Sequence, residues 1–117
     1  MEFEWDERKR KSNLKKHKID FADAEIVFAG MIITIPDDRE DYGEDRWFTL
    51  GLLEDVVVAV SYTDRAERIR IISMRKAEGY ESEIYYAQLI IRATNEDEEN
   101  EGEDGYENVE GTEELGD

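Results

Sequence analysis

The 117-residue sequence has no cysteine, a single histidine and a single proline. Without cysteine there is neither a disulfide framework nor a thiolate, and one histidine supplies too few ligands for the usual zinc site. No apolar run approaches the roughly 20 residues that cross a bilayer, and the N-terminus lacks the apolar segment of a secretory signal. We therefore expect a cytoplasmic protein that needs no metal or cofactor and does not enter a membrane.

Negative charge is abundant but unevenly distributed. Of the 32 acidic residues, 12 lie from Thr94 onwards, where there is no Lys or Arg; residues 1–93 keep 20 acidic and 15 basic residues. A segment so rich in like charge cannot bury enough apolar surface to offset its ordering entropy. We predict a folded domain over residues 1–93 and a disordered acidic tail over 94–117. The tail either solubilises the chain or mimics RNA on a basic surface.

The N-terminal third predicts a strand followed by two helices. The segment FEW alternates apolar and acidic residues, as a short strand does, and Asp6 can cap a very polar helix over Glu7–His17. Asp20 can cap a second helix over residues 21–29, which has an apolar stripe at helical spacing. The predicted order at this end is β-α-α.

The rest of the domain predicts four strands and a last helix. MIITI is a short strand, and RWFTLGLL and VVVAVSYT form a hairpin across Glu54-Asp55. RIRIIS follows as a strand, and a helix is predicted over about residues 76–92. The whole predicts an α+β domain, with a small, mainly antiparallel four-stranded sheet plus a short N-terminal strand. Two N-terminal helices and one C-terminal helix pack with it.

Basic residues are concentrated on the first helix and on the strands. They form either a local positive patch that attracts phosphates or salt bridges with the acidic residues, and composition favours the salt bridges. On the last helix, Glu81 and Tyr85 are four residues apart and share a face. Together with arginines they can handle protons and phosphate charge; alternatively, Tyr85 is a core aromatic.

Three segments resemble the BrnT toxins of type II toxin–antitoxin systems in order and spacing: FEWDERKRKSNLKKHKIDFADAEIVF, DDREDYGEDRWFTLG and VSYTDRAERIRIISMRKAEGYESEIYY. The resemblance covers about residues 3–85. It implies a fold similar to the RelE-like ribonucleases, metal-independent cleavage of RNA, and neutralisation by a cognate BrnA-like antitoxin that binds DNA, in a complex of 2:2 type. Lys18 and Ser82 depart from the family pattern, so a catalytically weak member or a binding module without catalysis are the alternatives.

The resemblance also implies roles for individual residues, with arginines on the scissile phosphate because their planar donor fork matches its oxygens. The residues predicted to be catalytic are Arg65, Arg70, Arg75, Glu81, Tyr85, Lys16 and His17. The residues predicted to bind RNA are Trp5, Lys9, Asn13, Lys15 and Arg46. Taken by itself, His17 is better explained as the cation that closes the first helix; the resemblance adds a role in which it can titrate near neutral pH.

Overall fold

A computed structural model gives the fold of residues 1–103, with side chains described as far as residue 95. The strands are β1 (Glu2–Trp5), β2 (Ile32–Pro36), β3 (Trp47–Leu53), β4 (Val56–Arg65) and β5 (Arg68–Lys76). The helices are α1 (Glu7–His17), α2 (Ala24–Ala29), which a short 3-10 turn at Phe21–Asp23 precedes, and α3 (Gly79–Glu103). The predicted α+β class and the order of the elements are confirmed.

The strands form one five-stranded mixed sheet in the order β1-β5-β4-β3-β2. Strands β2 to β5 pair antiparallel, whereas β1 pairs parallel with β5, with Phe3 opposite Ile69 and Trp5 opposite Ile71. The prediction of a four-stranded sheet with a separate N-terminal strand is thus corrected. The pairing escapes sequence analysis because no turn connects strands this far apart in the chain.

Helix α1 begins and ends as predicted, and its ends are well defined. The Asp6 carboxylate accepts hydrogen bonds from the backbone N–H groups of Arg8 and Lys9 at 2.8 and 3.3 Å. At the C-terminus, Lys18 has a φ of 63°, and its backbone N–H donates to the carbonyl of Leu14. This left-handed conformation suits glycine, which has no Cβ to clash with the preceding turn. The departure from the family pattern at Lys18 therefore falls where a side chain strains the backbone.

The second predicted helix is divided, and this prediction is corrected. Asp20 caps the 3-10 turn by accepting from the backbone N–H of Ala22 at 2.9 Å, and the turn closes between the N–H of Asp23 and the Asp20 carbonyl. Helix α2 begins only at Ala24. It lies so close to β3 that a Cβ on Gly51 would be 2.7 Å from Cγ1 of Val27.

The hydrophobic core lies on one face of the sheet, which we call the covered face. The turn and α2 contribute Phe21, Ala24 and Val27; the sheet contributes Val58, Val60, Tyr62, Ile69, Ile71 and Met74. Aromatic contacts extend this core to Phe3, whose ring centroid is 5.4 Å from that of Phe28, and Phe28 in turn packs on Tyr62 at 5.2 Å. The opposite face also buries a smaller set of apolar residues, and Arg75 on that face pairs with Glu81 at the start of α3. These residues are Ile33, Leu50, Val57 and Ala59.

The chain divides into two units, Met1–Tyr85 and Tyr86–Asp117. The boundary between the two units falls inside α3. This helix begins at Gly79, after the predicted start near residue 76, and continues past the predicted end at Arg92 to Glu103. The domain boundary at residue 93 stays a prediction, and residues 104–117 of the predicted tail lie outside the described residues. Within residues 1–103, no helix is long and apolar enough to cross a membrane.

Candidate nucleic-acid interface

A β-bulge in β5 determines which way its arginines point. Ser61 pairs with Ser73, but Tyr62 pairs with Ile71, so Ile72 is an extra residue in β5. Side chains alternate between the two faces of a strand, and an extra residue shifts that alternation by one. Without the bulge, Arg70 and Arg75 would lie on opposite faces. With it, they lie on the same face, away from the core.

The face opposite the core therefore carries a row of polar residues, which we call the arginine face. Cross-strand partners share a face, and the pairs here are Arg65 with Arg68, Thr63 with Arg70, Ser61 with Ser73, and Ala59 with Arg75. Ser73 lies between Arg70 and Arg75 on this face. Residues on one face of a strand repeat every second position, so the Cα atoms of the two arginines are about 13 Å apart along β5. Their side chains keep 33% and 30% of their surface exposed.

The arginines of this face are paired with carboxylates, as the salt-bridge alternative predicted. Arg70 donates to Glu4 at 3.2 Å, Arg68 contacts both Glu2 and Glu4, and Arg65 lies 3.7 Å from Glu44. The hydrogen bond from Arg70 lowers the pKa of Glu4, with a smaller contribution from Arg68. Arg65 and Arg68 are exposed, and exposed pairs contribute little to stability, whereas Arg70 and Glu4 are half-buried. A phosphate can therefore replace the carboxylates at Arg65 and Arg68 without a large cost.

Arg75 differs, because it is held by a buried carboxylate. Its Nη1 and Nη2 donate to Oε1 and Oε2 of Glu81 at 2.8 and 2.9 Å, and only 4% of Glu81 is exposed. Glu81 also accepts from the backbone N–H of Glu78 at 2.7 Å. This is one of the two hydrogen bonds of a capping box, and it stabilises the start of α3.

This geometry favours a positioning role for Glu81 over acid–base catalysis. The hydrogen bonds from Arg75, followed by the one from Glu78, lower the pKa of Glu81 against the opposing effect of burial. The same pair raises the pKa of Arg75. Glu81 is thus an ionised carboxylate with both oxygens engaged, and it fixes the direction of the Arg75 guanidinium.

Two buried polar atoms have no hydrogen-bond partner in the described part of the chain, and both lie beside these arginines. Oγ1 of Thr63 is one, in a residue that is 2% exposed and pairs with Arg70. Nε of Arg46 is the other; it forms only a long ion pair with Glu44, at 3.5 Å, and the guanidinium lies over the ring of Tyr42 at 4.0 Å. Buried polar atoms are almost always hydrogen-bonded in folded proteins, so Thr63 is a candidate ligand contact.

Asn13 was predicted to bind RNA, but the structure buries it against the sheet. Its side-chain amide donates to the Met74 carbonyl at 2.8 Å and accepts from the Met74 N–H at 3.2 Å, and it also donates to the Ile19 carbonyl. Strand β1 ends opposite Ile71, so Asn13 pairs with the edge of β5 that β1 leaves open. This geometry favours a structural role, in which Asn13 attaches α1 to the sheet.

Tyr85 and Trp5 are likewise placed in packing roles. Tyr85 is fully buried, and its hydroxyl donates to the carbonyl of Met31 at 2.9 Å. Trp5 packs edge-on against Phe21 on the covered face, with ring centroids 6.3 Å apart. Trp5 therefore lies away from the arginines, and the core-aromatic alternative describes the fully buried Tyr85 better.

The predicted residues of α1 lie on the helix that Asn13 attaches to β5. Lys9, Lys15 and Lys16 are exposed. His17 is the last residue of the helix, is half-buried, and follows Asn13 by one turn. Among the described residues, none forms a hydrogen bond or ion pair with the His17 side chain. The helix-closing position of His17 is confirmed, whereas its chemical role stays a prediction.

Thr63, Ser61 and Ser73 are candidate ligand contacts that were not predicted from the sequence. The alternation in SYTDR places Ser61, Thr63 and Arg65 on one face, which is a usable signal. Nothing in the sequence indicates the bulge that adds Arg75 to the same face. Within the described residues, no group of three or more His, Cys, Asp or Glu side chains is arranged to hold a metal.

Fold and site together define a small α+β domain with an arginine-lined sheet face opposite its core. The family model of the ribonuclease toxin BrnT of type II toxin–antitoxin systems matches residues 5–81, and the chain belongs to this family. No curated protein matches the chain. Members of a type II system act with an antitoxin partner, so the family implies one for this chain.

Proposed function

We propose that the protein is an endoribonuclease toxin that binds RNA on the arginine face and cleaves it without a metal ion. The observation that supports this most is the placement of four arginines on one sheet face, where the bulge in β5 adds Arg75 to Arg65, Arg68 and Arg70. Guanidinium groups suit a phosphodiester because they offer paired donors to its oxygens and keep their charge at any physiological pH.

The reaction uses a nucleophile that RNA itself carries. A base removes the proton of the ribose 2′-hydroxyl, and the 2′-oxygen attacks the adjacent phosphorus. The bond from phosphorus to the 5′-oxygen breaks, and an acid protonates that oxygen. The products are a 2′,3′-cyclic phosphate and a 5′-hydroxyl. The protein has to stabilise the negative charge on the phosphorane, which fixed cations do best where water is partly excluded.

We assign the phosphate to Arg70 and Arg75, with the buried hydroxyl of Thr63 beside them. Arg70 exchanges its half-buried partner Glu4 for the phosphate, while Arg75 stays fixed by Glu81 and presents the remaining edge of its guanidinium. Arg65 binds the neighbouring stretch of the RNA backbone. Arg46 lies one residue before β3, and we assign it a further contact with the RNA backbone, in exchange for Glu44, which lies 3.5 Å from its Nε.

Proton transfer is assigned to α1. Lys16 and His17 are the candidates because the structure leaves them outside the core, on a helix that Asn13 attaches to the edge of β5 beside Arg75. Lys9 and Lys15 hold the RNA strand through its phosphates. Glu81 acts through Arg75, and Tyr85, Trp5 and Asn13 support the fold.

The partner that we propose is a cognate BrnA-like antitoxin that neutralises the toxin in a 2:2 complex. Contact with DNA is then indirect, through the antitoxin. The likeness to RelE-type ribonucleases is part of the same proposal, since a sheet face used for RNA is compatible with it. The cytoplasm, where RNA and the antitoxin are found, is the proposed location.

A second candidate function is a catalytically weak family member that keeps its antitoxin-binding surface. The observation that favours it is the occupation of the arginine face by the chain's own acids, with Glu4 on Arg70 and Glu44 on Arg65. If these carboxylates compete well with phosphate, RNA binds poorly. The strain at Lys18 also reduces the stability of the domain.

Expression of the chain without its antitoxin separates the two functions. A ribonuclease toxin arrests growth, stops translation and depletes RNA, and Arg70→Ala abolishes this because the phosphate loses one of the two arginines assigned to it. Arg8→Ala is the matched control, since it removes the same charge from an exposed position on α1. Growth arrest that persists in a soluble Arg70→Ala variant contradicts the assignment, and the absence of arrest by the unmodified chain favours the weak member.

A further inference from the structure

A cavity of about 260 Å³ opens on the same sheet face as the arginines, between β2, β3 and the first turns of α3. Its apolar lining includes Phe48, Leu50 and Ile84, and its polar lining includes Arg75, Tyr80 and Asp38. Pockets for drug-sized ligands measure about 300–1,000 Å³, so this one suits a smaller group, the size of a single nucleobase.

Two aromatic side chains line this cavity next to a cation. The guanidinium of Arg75 lies 5.5 Å from the ring centroid of Phe48. Tyr80, in the first turn of α3, is 63% exposed and so contributes little to the core. Single-stranded RNA is held by bases that stack on exposed aromatic rings while cations bind the backbone. Phe48, Tyr80 and Arg75 offer both kinds of contact in one place.

The two aspartates at this cavity differ in whether their carboxylate oxygens already accept hydrogen bonds. Asp37 is engaged by Arg39, whose Nε and Nη2 donate to its two oxygens at 2.8 and 2.9 Å. Asp38 has no hydrogen bond or ion pair among the described residues. A free carboxylate accepts two parallel N–H bonds. Among the four RNA bases, guanine presents such a pair, at N1 and the N2 amino group.

We propose that this cavity is a nucleobase subsite, in which a guanine stacks on Tyr80 and Phe48 and donates to Asp38. The proposal rests on the proposed function, because Arg75 lines the cavity and also belongs to the arginine face that binds the phosphate. A protein partner's arginine also suits Asp38, but it would face the fixed charge of Arg75. The substrate is thus single-stranded RNA with guanine beside the bound phosphate.

Binding of oligonucleotides that cannot be cleaved tests this subsite directly. The full chain is titrated with 2′-O-methyl oligouridines that contain one central guanine, adenine or cytosine, since methylation removes the nucleophile. We expect the guanine oligomer to bind about tenfold more tightly than the others, the usual discrimination of a bidentate base contact. Asp38→Asn should abolish the preference. Glu40→Gln, which removes the same charge from the same loop outside this cavity, should retain it.

Tyr80 supplies the second arm of the experiment. Tyr80→Ala should weaken binding of all the oligomers about tenfold because stacking is lost, whereas Tyr80→Phe should bind like the unmodified chain. Equal affinity for the central bases, or unchanged binding by Tyr80→Ala, overturns the proposal. So does a result in which Tyr80→Ala and Asp38→Asn bind RNA normally but lose the co-expressed antitoxin, since the cavity is then a protein-docking site.

Cleavage of the matching ribose oligomers separates this proposal from the proposed function. Guanine-selective binding without cleavage supports the subsite and contradicts the ribonuclease. Cleavage at all bases alike, with no loss in Tyr80→Ala, supports the ribonuclease and contradicts the subsite.

Discussion

Replacing Glu81 by glutamine is expected to destabilise the domain strongly, although the two side chains have nearly the same shape. The amide cannot accept both donors of Arg75, and its own NH₂ group faces that cation. Removing one partner of a buried ion pair costs about 3–5 kcal/mol. Because the Arg75 side chain is 30% exposed and water can solvate part of it, we expect about 2–3 kcal/mol. The melting temperature should fall by about 8–15 °C.

This destabilisation should depend on pH in a predictable direction. The folded-state pKa of Glu81 lies below its ordinary value of 4.5, chiefly because Arg75 donates to the carboxylate. A lowered carboxyl pKa adds stability that is complete above the ordinary value and is lost as the pH falls through the folded value. The difference in unfolding free energy between the unmodified chain and Glu81→Gln should therefore be constant from pH 6 to 8 and shrink below pH 4.

Urea unfolding at a series of pH values measures both effects. Glu83→Gln is the matched control, because Glu83 is an exposed glutamate on the same helix and its replacement changes the charge equally. We expect the control to lie within about 0.5 kcal/mol of the unmodified chain. If Glu81→Gln is as stable as the control, or if its deficit persists unchanged at pH 3, the proposed positioning role of Glu81 is refuted.

Two further predictions concern the backbone strain and the buried tyrosine. Lys18→Gly should stabilise the domain by about 0.5–1 kcal/mol in urea unfolding. The reason is that the strain relieved at the left-handed backbone exceeds the entropy that glycine adds to the unfolded chain. Equal stability of Lys18→Gly and Lys18→Ala would contradict this. Tyr85→Phe should cost about 1 kcal/mol through the lost hydrogen bond to Met31 and leave the rate of RNA cleavage unchanged. If Tyr85→Phe lost cleavage but kept its stability, the packing role would be contradicted and a catalytic role for Tyr85 supported.

Local chemistry made the helix α1 and the central hairpin predictable. Asp6 is a strong N-cap, and the basic last turn of α1 marks its C-terminal end. Glu54 and Asp55 both have positive φ, at 51° and 67°, as a two-residue hairpin turn requires. These features depend on residues within a few positions of one another, so the sequence pattern contains them.

The parallel pairing of β1 and the bulge at Ile72 depend on contacts between distant segments. No turn or periodicity in the sequence indicates the parallel pairing or the bulge. Both change the positions of residues in the candidate site. Strict alternation predicts Arg70 and Arg75 on opposite faces, whereas the bulge puts them on one. The packing roles of Asn13 and Tyr85 are hidden for the same reason, since their partners Met74 and Met31 are far away in the sequence.

Cleavage of single-stranded RNA by the purified full chain in EDTA tests the central claim most directly. We expect fragments that end in a 2′,3′-cyclic phosphate and a 5′-hydroxyl, a rate at least a hundredfold lower for Arg70→Ala, and an unchanged rate for Arg8→Ala. No cleavage, cleavage only when Mg²⁺ is added, or equal rates for Arg70→Ala and the unmodified chain would contradict it.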